Sequence, residues 1–378
     1  TDWGEKFKKF LTRFYKLDYV LTSSTGRWFQ NADVVTNIVI LTKREFLIDK
    51  LPNTEKTKFI TISHDFLLDS NDENIREIYK NIITNTLGKR FKVEEYSTEE
   101  ILSEPLNWNT LFSDISWIKQ INKKLIFCST LFEIKRGARR GWDDMFYPSS
   151  NHGIEQDFIK PVLKSSRDID SLTSIAESEA FCCSLSIEEL SQKGNTGAIA
   201  WINKFKYGFN EVGKPLPEVL KIKNGYWNTM HDTEMADFVT SVNTDKRIFI
   251  SRLNEKSFVN QRLIRFTSLK SDTDLELSHA LLNSLMGIFF IEALGFGRGL
   301  GALDLSSNRM KKYFRMLNPS LLTDSQIKEI KNKLGRKNEI LGLENTEKLS
   351  NYAKAFFKGI EERYEKTSLA KSFERILK

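Results

Sequence analysis

The densest group of side chains able to do chemistry lies at 131–148: Leu-Phe-Glu-Ile-Lys-Arg-Gly-Ala-Arg-Arg-Gly-Trp-Asp-Asp-Met-Phe-Tyr-Pro. Lys135, Arg136, Arg139 and Arg140 crowd together, Gly137 and Gly141 interrupt them, and Trp142, Phe146 and Tyr147 follow. Guanidinium groups hold phosphates by charge and read guanine edges bidentately. Glycine lets backbone turn sharply or approach a ligand closely. The apolar run at 125–128 leads in, so the stretch reads as a strand, a tight glycine turn and a second strand. A solvated basic hairpin is the bland alternative.

Further candidates lie downstream. Arg247, Arg252, Arg262 and Arg265 recur along 247–266, which reads as two antiparallel strands whose cations could track phosphates. An aromatic turn, Asn-Gly-Tyr-Trp-Asn-Thr-Met-His at 224–231, offers Trp227 for stacking on sugar or base. A strongly apolar helix over 279–294 stops at Gly-Phe-Gly-Arg-Gly-Leu-Gly, residues 295–301, which presents Arg298. The spacing is not the dinucleotide fingerprint and follows a helix instead of a strand, so nucleotide binding is rejected there.

Composition narrows the classes. The chain has 378 residues, 40% of them hydrophobic, enough for two or three units with real cores. A net charge of +7 favours a polyanionic partner, although acidic residues are also abundant. Cys128, Cys182 and Cys183 have no ligand spacing and read as reduced structural thiols of a cytoplasmic protein. The four histidines are scattered and form no metal pair. No apolar run reaches membrane-spanning length and no signal-peptide pattern opens the sequence. The chain opens on Thr1 inside a helical pattern, as part of a longer polypeptide would.

The positioning elements follow from periodicity. A helix over 3–16 leads to a strand at 17–22, a loop and a β-branched strand at 34–41. A short strand at 58–63 and an amphipathic helix over 74–87 follow, with Ile75, Ile78, Ile82 and Ile83 facing inward. Helices are expected at 117–124 and 195–207, a small strand at 181–186, and charged amphipathic helices from 324 to 377.

The loop Gly-Arg-Trp-Phe-Gln-Asn-Ala-Asp at 26–33, set between helix–strand and strand, carries a resemblance. Residues 5–44 resemble the last helix and closing hairpin of the catalytic domain of adenine-specific DNA methyltransferases of the type II restriction-modification class. The basic stretch at 131–148 and the segment 258–304 resemble that family's target-recognition domain, and also type I specificity subunits. The resemblance implies an α/β (α+β) fold: a Rossmann-like closing hairpin at 1–44, a connector at 45–125, a strand-rich recognition domain at 126–320 and a helical segment at 321–378. It implies that Phe29, with Trp28 as the neighbouring candidate, packs on an extruded target base, whose lost stacking needs an aromatic face. Lys135, Arg136, Gly137, Arg139, Arg140, Gly141 and Trp142 would enter a groove, Trp227 would assist, and Arg262, Arg265 and Arg298 would contact the DNA backbone.

Amino-group methylation in that family also needs a glycine-rich turn for S-adenosylmethionine and an (Asn/Asp/Ser)-Pro-Pro-(Tyr/Phe) loop. This chain has no Pro-Pro and no glycine loop after an early strand. It is therefore expected to bind no cofactor itself and to be inactive alone. S-adenosylmethionine would belong to a catalytic domain elsewhere, in the same polypeptide or a separate subunit. Two other readings stay open. One is a non-catalytic, stand-alone specificity subunit. The other is a magnesium-dependent nuclease built on Asp114 and Glu133-Ile-Lys135.

Overall fold

The computed structural model describes residues 2–24, 28, 36–45, 55–63, 72–84, 91–103, 108–169, 171–244, 248–297 and 303–341. A helix, Asp2–Phe14, precedes β1 (Tyr15–Ser23), β2 (Ile38–Lys43), β3 (Lys56–Ile62) and β4 (Phe91–Ser97). They form a sheet in the order β2-β1-β3-β4. β1 pairs antiparallel with β2 and parallel with β3, and β4 runs antiparallel to β3. The apolar run of β3 explains its central place. Phe59, Ile60 and Ile62 are all buried, which needs cover on both faces. Phe59 meets Tyr96, Trp108 and Phe112 edge-on. On the other face, Ile78 and Ile82 of the helix Asp72–Thr84 pack near Leu21, Ile60 and Phe91. Ile75, expected inward, stays exposed, and the Ile83 side chain lies outside the described residues.

The larger sheet is built from β6 (Phe132–Arg136), β7 (Ile159–Leu163), β8 (Thr173–Ser174), β9 (Ser178–Phe181), β10 (Ala236–Ser241), β12 (Ser251–Val259) and β13 (Leu263–Ser268). Its order is β6-β13-β10-β12-β7-β9, with β8 beside β12. Smaller pairings join β5 (Leu125–Phe127) to β16 (Arg315–Leu317), and β11 (Asn243–Thr244) to β15 (Leu303–Asp304) and β14 (Phe296–Gly297). The two strands expected to pair over 247–266 do not pair, because β10 lies between them. Ala236, Phe238 and Val239 are fully buried, and a strand buried on both faces takes the middle of a sheet.

The expected helix over 279–294 is two helices, Leu275–Leu282 and Leu285–Leu294, bent by 61°. Asn283 breaks it by turning its amide to β-backbone: Oδ1 accepts from Ile250 N, and Nδ2 donates to the Ile250 and His279 carbonyls. Ser284 caps the second helix by accepting from Gly287 N. No single described helix is long and apolar enough to cross a membrane. A helix does stop at Gly295, as expected.

One continuous apolar cluster runs from Val20 and Phe59 through Trp117, Phe132 and Phe238 to Phe290 and Phe314. A satellite cluster gathers Met145, Phe146, Phe181, Leu190, Trp201, Ile202, Leu216 and Leu220. The three cysteines are free and buried, and burial pushes the Cys182 thiol up to about 12. The helix Asp324–Leu341 matches the first of the charged helices; the others lie outside the described residues. The architecture is mixed, with several sheets and helices, as an α+β fold requires.

Candidate nucleic-acid interface

β6 alternates. Phe132 and Ile134 point into the core, while Glu133 and Lys135 lie on the opposite face. Its register with β13 pairs Arg265 with Lys135 and Ile264 with Arg136. Beyond Arg136 no second strand turns back. Gly137 N donates to the Leu263 carbonyl (2.9 Å) and Ala138 N to the Val259 carbonyl (2.8 Å). The chain then enters a short helix, Asp143–Phe146. The expected basic hairpin is therefore corrected to a strand end laid against the β12–β13 turn. The glycine does permit a close approach, but to the protein's own backbone. A Cβ at Gly137 would stand 2.2 Å from Val259 O and 2.3 Å from Asn260 O. Gly141 has φ +84°, the left-handed region that favours glycine.

This arrangement brings cations together from distant segments. Arg136 Nε donates to the Gln261 carbonyl at 2.7 Å, across 125 residues of sequence. Arg262 N donates to Asn260 Oδ1 and fixes the turn (3.1 Å). Lys135, Arg136, Arg139 and Arg262 are all exposed around it. Asn260 also bonds the Tyr147 hydroxyl, whose burial beside Asp143 pushes its pKa up to about 12. The sequence reading missed Asn260 and Gln261. An Asn-Gln pair between the apolar runs Phe258-Val259 and Leu263-Ile264 is a turn signal that could have found them.

Two expected DNA contacts face inward instead. Arg265 is 3% exposed, and it donates to Glu133 Oε2 (2.9 Å) and Thr267 Oγ1 (2.6 Å). On β13 it alternates with the core residues Ile264 and Phe266, so it shares a face with Glu133 and Thr267 and pairs with the Glu133 carboxylate. Arg140 donates to the carbonyls of Leu220 (3.1 Å) and Trp227 (2.7 Å), with its guanidinium 4.6 Å from the Phe146 ring centroid. Burial disfavours its charge, lowering its pKa against the pull of Glu234. Arg140 is thus a strap that fastens the 137–142 segment to residues 220–227. Trp142 and Trp227 lie half-buried against the satellite cluster, so neither stands free to stack. Trp28 is half-buried, with Nε1 donating to the Thr36 carbonyl (2.9 Å). Phe29, Arg247 and Arg298 lie outside the described residues.

The two carboxylates of the nuclease pattern keep different partners. Glu133 is gripped by Lys135 (2.5 Å) and Arg265, which outweigh burial and hold its carboxyl below the usual range. Asp114 accepts from Ser116 N and lies near Glu94, whose carboxyl burial raises with Asp114 adding to the shift. Among the described residues, no three His, Cys, Asp or Glu side chains gather as a metal site.

No protein-family model matches the sequence, and no curated protein matches it. Among solved structures, the chain is similar to the type IIG restriction endonuclease BpuSI, at 12% identity and a TM-score of 0.40, over 88% of this chain and 40% of that one. It is also similar to a type I restriction-modification system S subunit from M. genitalium, at 12% identity and a TM-score of 0.28, over 57% of this chain and 38% of that one. The chain therefore spans well under half the length of either protein.

Proposed function

We propose that this chain is a duplex-DNA recognition module of a restriction-modification system, positioning an adenine for methylation by a catalytic domain outside it. The observation that carries the reading is the convergence of Lys135, Arg136, Arg139 and Arg262 on one rigid turn. Exposed cations on locked backbone suit a polyanion with fixed phosphate spacing, since little loop ordering remains to be lost on binding. Phosphate contacts would supply most of the affinity and its salt dependence, and one or two arginines the base readout. Within this reading residues 1–44 end the methyltransferase-like α/β domain, 45–125 connect, 126–320 read DNA and 321–378 form a helical segment. Phe29 packs on the extruded base, S-adenosylmethionine belongs to the catalytic domain, and the protein works in the cytoplasm. Trp28, held inward, leaves that packing role to Phe29. The grip of two cations on Glu133 disfavours the nuclease alternative at these residues.

The test is selection from random duplex DNA at two salt concentrations, followed by sequencing of bound molecules. A short enriched motif containing adenine, with affinity falling steeply in salt, is expected. Binding with no enriched motif, or none at all, would overturn the reading for this chain. Arg139→Ala should weaken binding by about 1–3 kcal/mol if it reads a base.

A further inference from the structure

A second surface feature turns apolar side chains to solvent. The helix Thr196–Lys206 ends in a projecting finger, residues 207–215, that returns to the helix Leu216–Val219. Its tip is rigid. Phe209 bridges Pro215 in antiparallel fashion, Asn210 N donates to the Lys214 carbonyl, and Gly213 N donates to the Asn210 carbonyl. Asn210 Oδ1 accepts from the amides of Val212 (3.2 Å) and Lys214 (2.8 Å). At the base, Leu216 N donates to the Gly208 carbonyl. Yet this fixed loop turns Tyr207 (78% exposed), Phe209 (61%) and Val212 (75%) to solvent. Lysines frame them: Lys204, Lys206, Lys214, Lys221 and Lys223 are exposed, against the carboxylates of Glu211 and Glu218. Lys206 Nζ lies 5.7 Å from the Tyr207 ring.

We infer that this finger is a second DNA contact, entering a groove of the duplex with Phe209 and Val212 against a base step and Lys206 and Lys214 on the flanking phosphates. The inference rests on the DNA-recognition reading. Three observations favour DNA over another occupant. The cationic excess complements phosphate and would repel a second copy of the same finger. The tip is pre-organised, so a wedge inserted between bases loses little loop entropy on binding. The finger's base also joins the cation cluster, because Leu220, which follows the helix Leu216–Val219, supplies one of the two carbonyls held by Arg140. The β12–β13 turn and the finger are thereby tied to opposite ends of one short segment, 136–141.

The experiment uses the duplex enriched by the whole chain, with the fluorescent adenine analogue 2-aminopurine placed at successive positions. Wild type should give a fluorescence rise at one step, reporting unstacking. Phe209→Ala combined with Val212→Ala should abolish that rise and weaken specific binding at least about tenfold with the salt slope unchanged, since base–apolar contact releases no counterion. Lys206→Ala with Lys214→Ala should lower the salt slope instead. These positions are exposed, so thermal midpoints should match wild type. If wild type enriches no duplex, the DNA reading itself fails. If wild type binds and Arg139→Ala weakens it, but the Phe209/Val212 double variant binds as wild type, only the finger assignment is overturned and the patch belongs to a protein partner.

Discussion

At the residue scale, the Arg265–Glu133 ion pair lies on the same face of the large sheet as Lys135, which shares the Glu133 carboxylate. Arg265 is nearly inaccessible and depends on Glu133 for its counter-charge. Breaking a buried pair leaves one charge uncompensated, although Glu133 retains some solvent screening. Glu133→Gln should therefore cost about 1–3 kcal/mol in urea unfolding at pH 7. The carboxyl sits below its ordinary value of 4.5 in the folded protein. Its contribution is thus complete above that value and disappears as pH falls through the lowered one. The gap between wild type and Glu133→Gln should accordingly be full at neutral pH and narrow as pH falls below the ordinary value of 4.5 and through the lowered one. A gap that stays constant would show that the pair contributes no proton linkage. Arg139 and Arg140, neighbours of one type, should part company. Arg139→Ala should lower DNA affinity and leave the thermal midpoint alone. Arg140→Ala removes the donor for two carbonyls and should destabilise by about 1–3 kcal/mol.

At the scale of elements, two glycine and asparagine positions decide what the strands and helices do. Gly137 allows β6 to lie against the β12–β13 turn, and any Cβ there meets backbone oxygens at 2.2 and 2.3 Å. Backbone cannot swing aside as a side chain can, so Gly137→Ala should destabilise by about 1–3 kcal/mol and scatter the four exposed cations. Loss of DNA affinity in the fraction that remains folded is the readout. Asn283 pairs with both backbone groups of Ile250 and ends the helix Leu275–Leu282. In Asn283→Ala the Ile250 amide is left buried and unmet, a cost of about 1–3 kcal/mol measurable by chemical denaturation. If the midpoint does not move, the break is set by Ser284 and Gly287 alone.

At the scale of the whole molecule, exposed cations gather at two places among the described residues. Net charge of +7 over 378 residues is modest, yet four exposed cations meet on one turn and five more surround the finger at 204–223. Attraction from these cations is screened over a Debye length of about 8–10 Å at physiological salt. Doubling the salt concentration should weaken wild-type binding severalfold, and the loss should shrink when Lys135, Arg136, Arg139 and Arg262 are replaced together. Equal salt slopes in wild type and quadruple variant would place the contact elsewhere.

Periodicity and composition are enough to read part of the fold: the helix Asp2–Phe14, β1, β3, the helix Thr196–Lys206 and the stop at Gly295 follow from local pattern, whereas the strand expected at 181–186 is Ser178–Phe181 and β4 and β10 carry no comparable signal. The basic stretch was legible too, because clustered charge is a property of the chain itself. What the sequence could not show is which of those charges faces water. Lys135 and Arg139 stay exposed, while Arg140 and Arg265 turn inward onto carbonyls and a carboxylate supplied from 80 to 132 residues away. An arginine beside glycine and tryptophan has the same local signature in either case. The basic hairpin failed for the same reason: Gly137 signals a close approach but not to what, and the answer, the Val259–Asn260 backbone, lies across the sheet. The placement of β10 between β12 and β13 was likewise decided by burial on both faces, a condition that exists only once the other layers have packed against it.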